Sequence, residues 1–198
     1  MSPIARRWSM SVSTAFHPVL IPWAVLFAIV PVEKPAGLIT ILATFLLIVL
    51  FPAGASLVYF RRIGIGNILV IDKEYRIVPF RYFFAGLSLL AVLTFLLDNF
   101  HLNMQWFVVV ATVSGAALLI TFYYKISLHM TGMGAIMTMV FEMRWPGSWV
   151  LIAGLTAGLS AVVFLARYAL KAHTVAELLT GFVLGLLSCY AGFRLVDI

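Results

Sequence analysis

Residues 145–193 read WPGSWVLIAGLTAGLSAVVFLA, RYALKAHTVAE, LLTGFVLGLLSCYAGF: a run of 22 residues free of Lys, Arg, Asp and Glu, a connector of 11 that carries Arg167, Lys171, His173 and Glu177, and a second charge-free run of 16. A helix needs about 20 predominantly apolar residues to cross the hydrocarbon core of a bilayer. The first run is long enough, and the second becomes so with its snorkelling flanks. The stretch therefore predicts two membrane-crossing helices with a charged connector at one surface. The pattern recurs upstream, where charge-free runs occupy residues 8–32, 35–60, 82–97, 99–124 and 126–141. These spacings predict an all-α, polytopic membrane helix bundle of six to seven transmembrane helices, forming a single integral membrane domain over residues 1–198. Run 126–141 is rich in Met and holds Gly132 and Gly134, so its alternative is a short helix buried within the bundle.

Composition points the same way. Of 198 residues 64% are apolar and only 10% charged, against about 25% charged in a soluble domain. That balance disfavours a soluble globule, a disordered chain, a disulfide scaffold and a nucleic-acid module. The net charge of +6 is read as membrane topology and substrate, with no nucleic-acid partner, and the single Cys189 allows no intramolecular disulfide. Arg6 and Arg7 precede run 8–32 without a small-x-small cleavage site, so the run reads as a retained first helix, interrupted by Pro18 and Pro22. The pairs Gly154/Gly158 and Gly181/Gly185 fit close helix packing inside one bundle.

Ionisable groups near a bilayer are costly and mark function. Three clusters stand out: Asp72, Lys73, Glu74 and Arg76 before the third predicted helix; Lys125, Ser127 and His129 at the head of the fifth; Arg167, Lys171, His173 and Glu177 between the sixth and seventh. Two crossings separate each cluster from the next, so all three emerge on one face. Two histidines, an acid and several cations there suit a multiply charged anion beside a lipid, phosphate above all. A neutral imidazole can attack phosphorus, a second as imidazolium can protonate the leaving group, and a carboxylate can orient the first. His173 and Glu177, spaced i, i+4, permit that last contact. Thr174-x-x-Glu177 also reads as a capping box that starts a helix without any chemistry. His101 beside Asp98 gives two metal ligands without a third and reads as a solvated loop. Trp8, Trp145 and Trp149 read as interfacial anchors.

Arg-x5-His-x3-acid, preceded by a Ser-x-His element and an earlier Lys/Arg element, resembles the three-part signature of the type 2 phosphatidic acid phosphatase superfamily. The resemblance covers the C-terminal 75 or so residues best. It implies an integral membrane lipid phosphate phosphatase with a metal-free phosphohistidine mechanism and no cofactor. It places His173 as nucleophile, Glu177 as its orienting acid, His129 as acid for the leaving group, and Arg167, Lys73, Arg76 and Ser127 around the phosphate. His17-Pro18 with Pro22 looks like a feature of some bacterial branches and is given no role. The pattern departs at Leu128, where the family has Gly; at Ala166, where it has Ser; at Glu177, where it has Asp; and in the compressed spacing Lys73-x2-Arg76-x2-Pro79. These departures motivate the rival expectation, a catalytically degenerate lipid-phosphate binder or transporter on the same scaffold. The resemblance implies the inner membrane of a bacterial cell, with the site on the extracytoplasmic face. The basic-residue bias, ten of 13 cations on the N-terminal side of a seven-helix arrangement, argues for the cytoplasmic face.

Overall fold

The structure, a computed structural model, describes residues 2–18, 20, 38–64, 75, 77–96, 104–142 and 148–196, and its regular elements are all helical. They are α1 (Pro3–Ala15), α2 (Leu38–Thr44), a π-helical turn (Phe45–Leu50), α3 (Phe51–Arg62), α4 (Ile77–Leu96), α5 (Met104–Tyr123), α6 (Leu128–Glu142), α7 (Trp149–Ala169) and α8 (Val175–Val196). Among the described residues five helices are long and apolar enough to cross a membrane: Ile39–Arg62, Ile77–Leu96, Trp106–Tyr123, Trp149–Ala169 and Val175–Leu195. The chain is thus built as a multi-pass membrane protein. Its contacts divide it into two compact units, residues 1–21 with 108–198, and residues 22–107.

Two predicted crossings are not among those five long helices. Run 8–32 is not one helix from its start: α1 begins at Pro3, capped by the Ser2 hydroxyl accepting from the Ala5 N–H at 3.2 Å, and stops at Ala15. Pro18 explains the stop, because a proline disfavours the helical region for the residue before it, His17. Thirteen residues rise about 20 Å, short of a hydrocarbon core about 30 Å thick; the remainder of that run from residue 21 lies outside the described residues. Run 126–141 folds as the 15-residue α6, shorter than those five helices, and most of its side chains from His129 to Met139 are buried. It is the short helix within the bundle that its Met and Gly content allowed.

In the unit of residues 22–107, the π turn has a covalent cause. Pro52 has no N–H, and its ring would press on the carbonyl four residues back. The chain widens, so that the Phe51 N–H bonds the Leu46 carbonyl five residues earlier. The Leu47 carbonyl then faces Gly86 of α4, where a Cβ would stand 2.1 Å from its oxygen.

In the other unit α6 and α8 run parallel with their backbones almost in contact. A Cβ on Gly181 would meet the Ser127 carbonyl oxygen at 2.6 Å, one on Gly185 the Thr131 oxygen at 1.9 Å, and one on Gly134 the Phe182 oxygen at 2.1 Å. Thr138 Oγ1 donates to the Leu186 carbonyl at 3.0 Å, and Arg194 pairs with Glu142 where both helices end. Met130, Met133, Val163 and Leu178 form the apolar core between α6, α7 and α8, with Val12 and Phe16 of α1 packed against it. Cys189 is buried. The expectation for Gly181/Gly185 holds, whereas Gly154 and Gly158 of α7 have no described atom within 4 Å of a Cβ.

The two pairs therefore respond oppositely to alanine. Gly185→Ala forces backbone apart and should lower unfolding free energy by about 1–3 kcal/mol, while Gly154→Ala gains up to about 1 kcal/mol of helix propensity. Thermal unfolding in detergent reads both; equal effects would contradict this packing.

Candidate functional site

The site is assembled from helix ends. Helix α7 finishes in a Schellman turn: the Ala172 N–H bonds the Arg167 carbonyl at 3.2 Å and the Lys171 N–H bonds the Tyr168 carbonyl at 2.9 Å. Lys171 occupies the left-handed position at φ 52°, where glycine is usual. This turn fixes Arg167 in the last turn of α7 and, six residues on, delivers His173 to the threshold of α8.

There the capping box forms. The Glu177 N–H bonds Thr174 Oγ1 at 3.2 Å, and the Thr174 N–H bonds Glu177 Oε2, also at 3.2 Å. The same Oε2 accepts from His173 Nδ1 at 2.9 Å. The capping and the orienting readings of Glu177 therefore coexist on a single oxygen. With its Nδ1 proton committed to a carboxylate, neutral His173 carries its lone pair on Nε2, the nucleophilic nitrogen.

Ser127 caps α6, its Oγ accepting from the Met130 N–H at 3.4 Å, and its own N–H bonds the Glu177 carbonyl at 3.2 Å. The Ser127 side chain is fully buried, and its backbone N–H ties the two parallel helix starts together. Those adjacent N-termini present the positive ends of two helix dipoles. His129, in the first turn of α6, is buried, as are Arg167 and His173.

A helix given no role in the sequence reading completes the cluster. Ser13 of α1 accepts from Arg167 Nη1 on its Oγ at 2.7 Å, and its backbone carbonyl accepts from His129 Nε2 at 2.9 Å. His17 meets the His129 ring edge-on, with centroids 5.7 Å apart. Burial first, and the Arg167 charge second, pull the His17 and His129 imidazoles below their ordinary range. Both rings lie outside the five long apolar helices, and the neutral form of each is favoured. A proton on His17 or on His173 would further disfavour one on His129, which places all three imidazoles in one electrostatic neighbourhood. The signal that was overlooked is the spacing Ser9, Val12, Ser13, Phe16, an i, i+3, i+4, i+7 stripe whose two serines are buried.

Of the expected site residues, the structure brings His129, Arg167, His173, Glu177 and Ser127 to one end of α6, α7 and α8. Lys73 and Arg76 lie outside the described residues. Among the described residues no group of three or more His, Cys, Asp or Glu side chains is placed to hold a metal ion. Comparison with protein-family models, with curated proteins and with solved structures finds no match to this chain.

The left-handed Lys171 costs about 1 kcal/mol relative to glycine. Lys171→Gly should therefore raise the melting temperature without disturbing the cluster. A fall in melting temperature would show that the lysine side chain, exposed at this turn, makes contacts worth more than the strain.

Proposed function

We propose that the chain is a metal-independent phosphatase that hydrolyses a phosphomonoester or pyrophosphate on a lipid, of the phosphatidate, prenyl pyrophosphate or lipid A type, through a phosphohistidine at His173. The observation that carries the reading is the buried His173 Nδ1 to Glu177 Oε2 bond of 2.9 Å. It sets the tautomer for attack by Nε2, and the carboxylate stabilises the imidazolium as it forms. The resemblance to the type 2 phosphatidic acid phosphatase signature supports the same assignment.

In the first step the N–P bond forms at His173 as the P–O bond to the lipid breaks, and the departing alkoxide takes a proton from His129. Arg167 and the two helix N-termini offset charge on the phosphoryl oxygens, with Lys73 and Arg76 as further cations. Resting His129 is neutral, so this role needs the substrate to bring the proton balance with it. A phosphate dianion does so, because its charge opposes that of Arg167 and favours the protonated ring. In the second step water adds to phosphorus, the P–N bond breaks, the proton returns to His129, and inorganic phosphate leaves. The lipid tail lies between helices. Six or seven crossings of an inner membrane, with the site at the extracytoplasmic face, complete the reading; an N-terminal reporter tested for exposure on either side decides the orientation.

Phosphate release from lipid phosphates in detergent with a chelator present tests it. His173→Ala should abolish turnover while the protein stays folded, and Glu177→Gln should lower kcat by about 10–1,000-fold through the lost orienting charge. His129→Ala should let a phosphoenzyme accumulate from a substrate with a good leaving group. Full activity in His173→Ala sinks the mechanism. Saturable binding of lipid phosphate with no turnover in the wild type identifies a binder or transporter instead, the reading favoured by the engagement of both Arg167 and His129 with Ser13.

A further inference from the structure

We infer that α1 is part of the site and that Ser13 is a positioning residue, holding the Arg167 guanidinium and the His129 ring in one register for a bound phosphoryl group. The inference rests on the reading of this cluster as a phosphate site.

The end of α1 explains why Ser13 can serve two partners. Inside a helix its carbonyl would accept from the N–H four residues on, that of His17. Here the His17 N–H goes to the Thr14 carbonyl at 3.2 Å and the Phe16 N–H to the Val12 carbonyl at 3.0 Å. The Ser13 carbonyl is thereby released at the negative end of the helix dipole, and the His129 Nε2–H fills it. This fixes the His129 tautomer with its proton on Nε2 and sets the ring plane.

The hydroxyl does the same for Arg167. A guanidinium is a planar fork of five N–H donors at the end of a long, flexible side chain, and one firm bond sets the plane in which the others lie. The 2.7 Å bond from Nη1 to Ser13 Oγ is such a bond, formed where both residues are buried. Anchorage of α1 does not depend on it, since Val12 and Phe16 rest on the Met130, Met133, Val163 and Leu178 core. Removal of one oxygen should therefore loosen the guanidinium while leaving the helix in place. Ser9, on the same face one turn earlier and also buried, provides the control.

Wild type, Ser13→Ala, Ser13→Thr and Ser9→Ala, purified in detergent, are compared in two measurements. One is phosphate release from short-chain phosphatidic acid; the other is the rise in melting temperature with inorganic orthovanadate. Ser13→Ala should lower kcat/KM by about tenfold or more and raise the half-saturating vanadate concentration similarly, as expected for losing a bond to a charged group. Its melting temperature without vanadate should stay near that of Ser9→Ala. Ser13→Thr should recover both properties, and Ser9→Ala should follow the wild type. The inference is overturned if Ser13→Ala equals the wild type in both measurements, if Ser9→Ala falls as far, or if Ser13→Thr stays as low as Ser13→Ala. A wild type that releases no phosphate yet responds to vanadate, with the response blunted in Ser13→Ala, refutes the phosphatase reading and sustains the role of Ser13. No vanadate response in the wild type overturns both.

Discussion

Backbone pressed against backbone governs this molecule. Where the Thr131 carbonyl sits over Gly185 and the Phe182 carbonyl over Gly134, no side chain separates α6 from α8. Association of this kind draws on dispersion and Cα–H···O contacts at close range, which are what remains when lipid removes any hydrophobic difference between inside and outside. Because the helices run parallel, their first turns are level, and the Ser127 N–H can reach the Glu177 carbonyl. Parallel dipoles side by side repel, and the chain answers at both ends: Glu177 stands at the positive end and Arg194 at the negative one. A pair of aligned positive dipole ends at the level first turns is the electrostatic corollary of that packing.

Much of this was legible in the residues. Charge-free runs located the long helices, and counting crossings between His129 and His173 brought them to one surface before any geometry was known. The i, i+4 spacing of His173 and Glu177 and the Thr174 capping box were both readable, since each depends only on local helix geometry. What local reading could not supply was rank among equals. Gly154-x3-Gly158 and Gly181-x3-Gly185 are the same word in sequence, and only the neighbour of each helix decides which lies against a carbonyl.

The N-terminal segment shows the limit from another side. Hydropathy measures length in residues, so run 8–32 counted as one crossing, while α1 starts ahead of that run at Pro3 and ends inside it at Ala15. The stripe that holds Ser13 signals a buried face but not what lies against it. The partners of Ser13 lie 116 and 154 residues away, and neither periodicity nor motif spacing encodes a bond of that range. Position 166, beside Arg167, is an alanine, and the hydroxyl that Arg167 meets comes from Ser13 on a different helix.

That separation also orders assembly. A ribosome completes α1 long before His129 and Arg167 exist, so during synthesis α1 must wait with Ser9, Ser13, Val12 and Phe16 uncovered. A short helix with a partly polar stripe and exposed Arg6, Arg7 and Trp8 can rest at the bilayer surface during that interval. Only when the α7–α8 turn has closed does the buried face of α1 find its place. Docking of α1, made long before its partners, is then a late event of folding, and the cluster comes into being with it.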